Sequence, residues 1–463
     1  MAPVEKFDAI VVGSGQGGTP LCQALARAGM HTALVEREHV GGTCVNEGCT
    51  PTKTMIASGR VAYLVRRGAD YGVETGAPRI AMEKVRQRKR EIVKQFRGRN
   101  EDGIRNTPDL EWIVGEASFT GPKSLDVKLR KGGSRSLAAD RIFINAGCRP
   151  GVPDLPGLAD VPHLDSTSIM ELAKVPGHLL VLGGGYVGLE FGQLFRRLGS
   201  KVTIVQSRSR LLAGEDGDVA DAVAQILRED GIQILLNASA TQVARSRGKI
   251  SLQIRVGGKA RTLSGTHLLV ATGRVPNTDS LRVSAAGIST DERGFIRTND
   301  KLETSVSGVY ALGDIKGGPA FTHISYDDFR IIRTNLIEKG ETSIAGRLVP
   351  YTVYIDPQLG RVGLSEEEAR AKGQAFRVAK MPMAYVARAE ETDETRGFMK
   401  ALVDPATGQI LGAAVLGIEG GEMMSQVQLA MMGKLPYTVL KDAVFAHPAL
   451  SEAWNNLFGN FQS

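Results

Sequence analysis

The chain has 463 residues, 42% of them apolar, and its 55 glycines are well above the share of about 7% usual in globular proteins. No collagen period accompanies them, so fibre and disorder are excluded, and at roughly 150 residues per domain the length suggests about three domains. Four cysteines (Cys22, Cys44, Cys49, Cys148) are too few for a secreted disulfide scaffold, aromatics at 5% disfavour a base-stacking surface, and no apolar run approaches the roughly 20 residues of a membrane span. The short charged start, Met1 to Lys6, leads straight into a strand and does not read as a signal peptide. The expectation is a cytoplasmic protein with neither a membrane nor a nucleic-acid partner.

Residues 7–13 (FDAIVVG) read as an apolar strand that runs into the glycine turn 13–18. A helical pattern follows over 20–28, then a strand over 31–36 that ends on Glu36. Strand, glycine turn, helix and strand make one βαβ unit of a parallel sheet. A basic helix spans 83–106, where nine Lys/Arg and four Asp/Glu place a net +5, most of the chain's excess of +7. Val85, Ile92 and Phe96 recur there at helical spacing, which predicts a docked helix with a solvated basic face rather than a polyanion site. Strands follow at 111–114, 125–129 and 141–146, and the Pro/Gly-rich run 149–157 is a linker. The βαβ grammar then returns, with a strand at 178–182, the turn 183–188, a helix at 189–198 and a strand at 201–206. A strand and turn at 268–276 close this second unit, and 308–314 is a strand ending on an acid. Beyond residue 347 a hairpin pattern (398–403 and 410–416) and helices at 422–432 and 448–458 form an α+β tail.

A lone G-x-G-x-x-G is a weak signal, but each copy here lies between a strand and a helix. Gly13 permits the tight turn, Gly15 admits a pyrophosphate to the backbone, and Gly18 lets helix and strand approach, while Glu36 can accept from ribose hydroxyls. The second copy has Gly183, Gly185 and Gly188, but its strand ends on Gln206, followed by Arg208 and Arg210. A carboxylate there would repel a 2′-phosphate that two arginines can pair with, so NADPH is expected, with NADH as the second candidate. Cys44 and Cys49 are close enough to do redox work or bind metal. On one regular helix their side chains would diverge by about 140°, so a helix start between them is needed for a disulfide. Zinc would need two more ligands, and none stand near.

The run GGTCVNEGCTPTK (41–53) resembles the active-site signature of the class I pyridine nucleotide–disulfide oxidoreductases, the family of glutathione reductase, dihydrolipoamide dehydrogenase and mercuric reductase. The resemblance extends to ATGRVPN (271–277), YALGD (310–314) and HPALSE (447–452) and covers nearly the whole chain. It implies an α/β fold with two Rossmann-like nucleotide-binding domains, for FAD and NAD(P)H, plus a C-terminal α+β dimerisation domain. The implied division is 1–150 with the redox disulfide and 271–346 for FAD, 151–270 for NAD(P)H, and 347–463 for dimerisation.

By the same resemblance Cys49 is the thiolate beside the flavin and Cys44 the thiol that attacks substrate. Lys53 and Glu190 pair near the flavin N5, and Tyr186 covers the ring until nicotinamide arrives. Asp314 binds the ribityl chain, the helix after Phe321 points its N-terminus at the flavin, and Gly42, Thr43, Ala117, Gly147, Gly273 and Thr322 complete the cofactor contacts. His447, oriented by Glu452, is the acid/base for Cys44 of the partner subunit, so catalysis requires a homodimer with shared sites. Read from chemistry alone, a thiol with a pKa near 8.5 needs such a base, and a carboxylate on one ring nitrogen leaves the other free.

Details such as AFTHISYDDFR (320–330) resemble the mercuric reductase-like branch, and flavoenzymes that reduce copper(II) in reactive-chlorine defence are similar too. Mercuric reductases carry a cysteine pair near the C-terminus, whereas this chain has no cysteine after Cys148. The expected acceptor is a small disulfide or a metal ion. The alternatives are a dihydrolipoamide dehydrogenase or glutathione reductase type of enzyme, or a flavoprotein with a regulatory role. Met423, Met424, Met431 and Met432 are expected to pack in a core or dimer interface, and Cys22 and Cys148 to be packing residues. Asn145 and Cys148 stand where relatives usually show ATGSRP.

Overall fold

The computed structural model describes residues 3–246 and 248–462. Met1 and Ala2, the first residues of the short charged start, lie outside them. By compactness the chain divides into two units. One is built from residues 1–54, 84–151 and 273–347, the other from 55–83, 152–272 and 348–463.

The first unit is organised by a six-stranded sheet. Glu5–Val12 pairs in parallel with Thr32–Glu36 on one side and Ser134–Ile144 on the other. Leu110–Gly121 and Val309–Ala311 extend the parallel part at its two ends. The far halves of Leu110–Gly121 and Ser134–Ile144 pair antiparallel with Ser124–Leu129 between them, forming a meander. Alternation along the strands feeds both faces. Ala9, Val11, Leu34 and Phe143 face helices Gly18–Arg27 and Thr322–Leu336 through Leu21, Leu25, Phe329 and Ile332. Ile10, Val12, Ala33, Val35, Ile142 and Ile144 pack with Phe119, Leu125 and Val127 of the meander. A sheet buried on both faces needs uninterrupted apolar strands, as seen in the sequence at 7–13.

In the second unit a four-stranded parallel sheet runs in the order 267–270, 178–182, 201–205, 233–235. A three-stranded antiparallel sheet (238–246, 249–256, 259–265) packs on it through Leu252, Ile254 and Leu263. Residues 348–462 form a five-stranded antiparallel sheet covered by helix Gly420–Met432 and by Trp454, Leu457 and Phe458. The fold is therefore the expected α/β class, with two Rossmann-like sheets and a C-terminal α+β part.

Two local expectations are corrected. The basic helix is present as Met82–Arg105, but Phe96 is 44% exposed and the buried residues are Met82, Lys89, Val93 and Ile104. Each of the three expected positions lies three residues past a buried one, so the docked seam is turned by about 60° from the expected stripe. The helix expected over 448–458 does not start at Pro448. Ala449 is extended, Leu450–Glu452 is a 3-10 turn, and only Ala453–Leu457 is α-helical. Met423 and Met424 are buried in the C-terminal core and Met431 packs against it, whereas Met432 is exposed.

Candidate active site

The first glycine turn joins strand Glu5–Val12 to helix Gly18–Arg27. Gly13 sits at φ +96°, where an L side chain is strained, and a Cβ there would lie 2.5 Å from the Asn145 carbonyl oxygen. A Cβ on Gly18 would meet the Gly13 carbonyl at 2.1 Å, and one on Gly15 the Asn145 Oδ1 at 2.6 Å. Gly42 backs onto this turn, since a Cβ on it would meet the Gly15 Cα at 2.7 Å. The redox-signature turn and the dinucleotide turn are thus packed backbone to backbone.

Glu36 is fixed at the rim of the same turn. Its Oε2 accepts from Ser14 N at 2.9 Å and Ser14 Oγ at 2.6 Å, and its Oε1 from Glu38 N at 2.8 Å. Asn145, for which the sequence offered no role, ties the cradle together. Its Oδ1 accepts from Gly18 N at 2.9 Å, and its Nδ2 donates to the Leu312 carbonyl at 2.8 Å and Ser325 Oγ at 3.2 Å. The only signal for it in the sequence is that it stands at the first position of a segment where relatives usually show ATGSRP.

Asp314 lies in a short turn after strand Val309–Ala311. Among the described residues no group donates a hydrogen bond to its carboxylate, and burial pushes its pKa up despite the nearby Arg274 and Lys316. A desolvated carboxylate without donors is suited to ligand hydroxyls. Taken with the glycine cradle and the N-terminus of a ten-residue helix, this fits a dinucleotide such as FAD. Gly147 and Gly273, at φ +63° and +146°, flank this region, while the Ala117 methyl packs in the sheet core. Cys148 and Cys22 are buried thiols bonded to the carbonyls of Asp314 and Thr19, and burial pushes each up to about 12.

The cysteine pair has the geometry its spacing required. Cys44 lies in the short helix Gly42–Asn46, the chain breaks at Glu47 (φ −142°), and a new helix, Cys49–Arg66, begins on the second cysteine. The two thiols form no disulfide and are hydrogen-bonded to each other. Cys49 Sγ is also 3.2 Å from Oγ1 of Thr322, the first residue of helix Thr322–Leu336. Two helix N-termini therefore meet at Cys49, and each favours negative charge there. Cys44 is the opposite case. The hydrogen bond with Cys49, then burial, push its pKa far above the usual thiol range, against the opposing pull of Thr322 and the Lys53 charge. The helix starts thus favour negative charge at Cys49, while the thiol–thiol hydrogen bond and burial oppose it at Cys44.

In the second unit Gly183 (φ +118°) and Gly188 are required by the protein's own packing, with Cβ contacts of 2.3 Å to the carbonyls of Ala271 and Gly183. A Cβ on Gly185 would meet nothing within 4 Å, so the space beside it is not taken by protein. Tyr186, exposed, opens helix Tyr186–Arg197, and buried Glu190 accepts from Tyr354 N at 2.9 Å. Gln206 is turned inward, accepting from Gly184 N and donating to the Arg210 carbonyl at 3.1 Å. Both of its polar atoms are thus engaged in bracing the glycine turn rather than facing a ribose. Arg208 is exposed, whereas Arg210 makes a bidentate pair with Glu367 at 2.6 and 2.7 Å. His447 Nδ1 lies 2.9 Å from Glu452 Oε2, and the ring is mostly exposed. The carboxylate reaches the ring without the long helix expected there.

Paired thiols at helix starts, together with two dinucleotide-type glycine turns, define a flavin-dependent oxidoreductase of the disulfide-handling class. The chain belongs to the pyridine nucleotide-disulphide oxidoreductase family, whose sequence profile matches residues 7–328, while that of the family's dimerisation domain matches 349–458. It is 39% identical to the probable pyridine nucleotide-disulfide oxidoreductase RclA of Escherichia coli, covering 98% of this chain and 99% of that one. A dihydrolipoyl dehydrogenase of Chlorobaculum tepidum is 34% identical (96% and 95% covered), and a mercuric reductase of Staphylococcus aureus 31% (96% and 81%). Among solved structures, the Cu(II) complex of the HOCl-induced flavoprotein disulfide reductase RclA superposes with a TM-score of 0.90 at 38% identity, covering 98% of this chain and 99% of that one. Among the described residues no helix is long and apolar enough to cross a membrane.

Proposed function

We propose that the chain works as a homodimer that carries electrons from NADPH, through FAD and the Cys44–Cys49 pair, to a small disulfide or a thiophilic metal ion. The observation that supports it best is the thiol pair set where two helices begin. When bound, FAD supplies the two-electron relay between nicotinamide and disulfide. Gly13, Gly15, Gly18, Glu36 and Asp314 would hold it, and Lys53 with Glu190 would orient the reacting ring. Tyr186 would keep water from that ring until nicotinamide takes its place. Segments 1–150 and 271–346 would thus serve FAD, 151–270 the nicotinamide nucleotide and 347–463 the dimer.

Net transfer of hydride from NADPH splits the disulfide into Cys49 thiolate and Cys44 thiol, leaving NADP+. Cys44 cannot lose its proton unaided, because its pKa is pushed up. The partner subunit's His447 takes that proton on Nε2, its Nδ1 being held by Glu452. The Cys44 thiolate then attacks a substrate disulfide, and the first thiolate released takes the proton back. Attack of the Cys49 thiolate on the mixed disulfide restores Cys44–Cys49 and expels the second thiolate, which takes its proton from water. A soft metal ion would bind the same two sulfurs. The Cu(II) complex of the E. coli relative favours copper among metals.

The test is a steady-state screen with NADPH and NADH against glutathione disulfide, lipoamide, Hg(II) and Cu(II), with Cys44→Ser and Cys49→Ser alongside. Wild type should turn over at least one acceptor and gain a long-wavelength absorbance band on reduction. Cys49→Ser should lose the band, whereas Cys44→Ser should keep it and lose disulfide turnover. Normal disulfide turnover by Cys44→Ser would refute the division of roles.

A further inference from the structure

Arg210 and Glu367 come from distant parts of the second unit, and each is fixed before they meet. The loop carrying Arg210 is fastened to the second glycine turn by Gln206 Nε2 on the Arg210 carbonyl and by Leu212 N on the Gly184 carbonyl at 3.0 Å. Glu367 is the second residue of helix Glu366–Ala371. That helix start is held by Ser365 and Glu368 in a capping box, and by Asp216, which accepts from the backbone N–H groups of Glu366 and Glu367 at 3.1 and 3.0 Å. The carboxylate therefore arrives at the guanidinium already placed, and both its oxygens are engaged, at 2.6 and 2.7 Å. The pairing raises the pKa of Arg210 and lowers that of Glu367.

A guanidinium edge that receives two carboxylate oxygens is the same edge that would receive two phosphate oxygens. From this geometry, and resting on the reading that Arg208 and Arg210 serve the 2′-phosphate, we propose that Glu367 is a specificity-determining residue that competes with the 2′-phosphate of NADPH for Arg210. NADH carries no such phosphate, so the competition weakens NADPH alone and narrows the preference between the two nucleotides. Glu367 acts through Arg210 and is a positioning residue. The pair is partly exposed, with side chains 28% and 50% accessible, so a phosphate can displace the carboxylate. Exposed pairs of this kind correspond to about a two- to fivefold change in affinity.

The test is a double-mutant cycle on the holoenzyme. It takes kcat and KM for NADPH and NADH with ferricyanide as an artificial acceptor, and titrates NADP+ and NAD+ binding by calorimetry. Glu367→Gln should raise the NADPH/NADH ratio of kcat/KM about two- to fivefold, through a lower KM for NADPH rather than through kcat. In an Arg210→Met background the same substitution should leave that ratio where Arg210→Met put it. An unchanged ratio for Glu367→Gln in the wild-type background, or an equal rise with and without Arg210, overturns the competition. If the double variant Arg208→Met/Arg210→Met keeps the wild-type ratio, the arginine reading itself fails, and Glu367 with it. If that double variant loses NADPH preference while Glu367→Gln is inert, only the role of Glu367 fails.

Discussion

The proposed role of Asp314 in holding FAD would give cofactor binding a pH dependence set by a single side chain. Burial raises its pKa above the ordinary 3.8 in the absence of a ligand. Hydroxyl donors from FAD would stabilise the carboxylate and draw the pKa back down. Binding is then strongest above the raised pKa and weakens as pH falls through it. Fluorescence titration of FAD into apoprotein should show affinity falling toward acid in wild type. Asp314→Asn should bind more weakly near neutrality and show a flatter profile, and equal pH dependence in the two proteins would rule out this role. At this scale the two glycine turns and the pairing of Cys44 with Cys49 were legible, because such turns and close thiol pairs restrict sequence tightly. Asn145 was not, because its three partners lie up to 180 residues away and no local pattern encodes such a contact. The pairing of Arg210 with Glu367, across 157 residues, was hidden for the same reason.

Among the elements, the strand Phe398–Val403 does something its sequence conceals. Lys400 points inward, fully buried, and its ammonium donates to Asp216, Asp218 and Glu366 at 2.8, 2.8 and 3.0 Å. It thereby joins the starts of helices Gly217–Glu229 and Glu366–Ala371 to the C-terminal sheet. Lys400 is raised in pKa, while Asp216 and Asp218 are lowered by Lys400 and their other donors. The two aspartates contribute stability above their unfolded pKa of 3.8 that is lost as pH falls through the lowered folded values. Lys400→Met leaves the buried Asp216 carboxylate without its cation, while Asp218 keeps Lys380 and Glu366 keeps Arg370, at a cost of about 3 kcal/mol near neutrality. Its thermal midpoint should be lowest near neutral pH and recover part of the loss on acidification, opposite to wild type. A variant as stable as wild type at neutral pH would show that the ion cluster carries little weight.

Element legibility followed the same logic. The parallel strands were readable because burial on both faces demands apolar runs. The orientation of the basic helix was not. Two candidate seams about 60° apart were both apolar enough, and tertiary packing chose the one containing Lys89. The segment 448–452 departs from helix because Ala449 is extended and the helix begins only where Trp454, Leu457 and Phe458 can turn into the core.

For the whole molecule, the proposed sharing of each site between subunits makes a prediction that no single chain can satisfy. Cys44→Ser and His447→Gln homodimers should each be inactive with disulfide acceptors. Once their subunits are exchanged by mild denaturation and refolding, the mixed dimer has one intact site and one doubly defective one. Random pairing should therefore restore about a quarter of the wild-type sites, following from the twofold symmetry. Activity assays after mixing check this, and no recovery in a verified mixed dimer would place His447 in the same chain's site. The joining of 1–150 to 271–346 was implied by the family resemblance, not by local pattern. The compact unit carrying the first glycine turn takes three separate stretches of sequence, and local pattern cannot show which of them pack together.

That interrupted threading has a consequence for birth of the protein on the ribosome. Domains usually mature from the N-terminus onward. Here the sheet that contains residue 5 waits for Val309–Ala311, and Asn145 waits for Leu312, 167 residues later. At roughly 5–20 residues per second this delay is about ten to thirty seconds. The parallel sheet drawn wholly from residues 178–270 emerges within that interval. The first domain in sequence is thus the later to close, and its cofactor cradle stays open through most of translation.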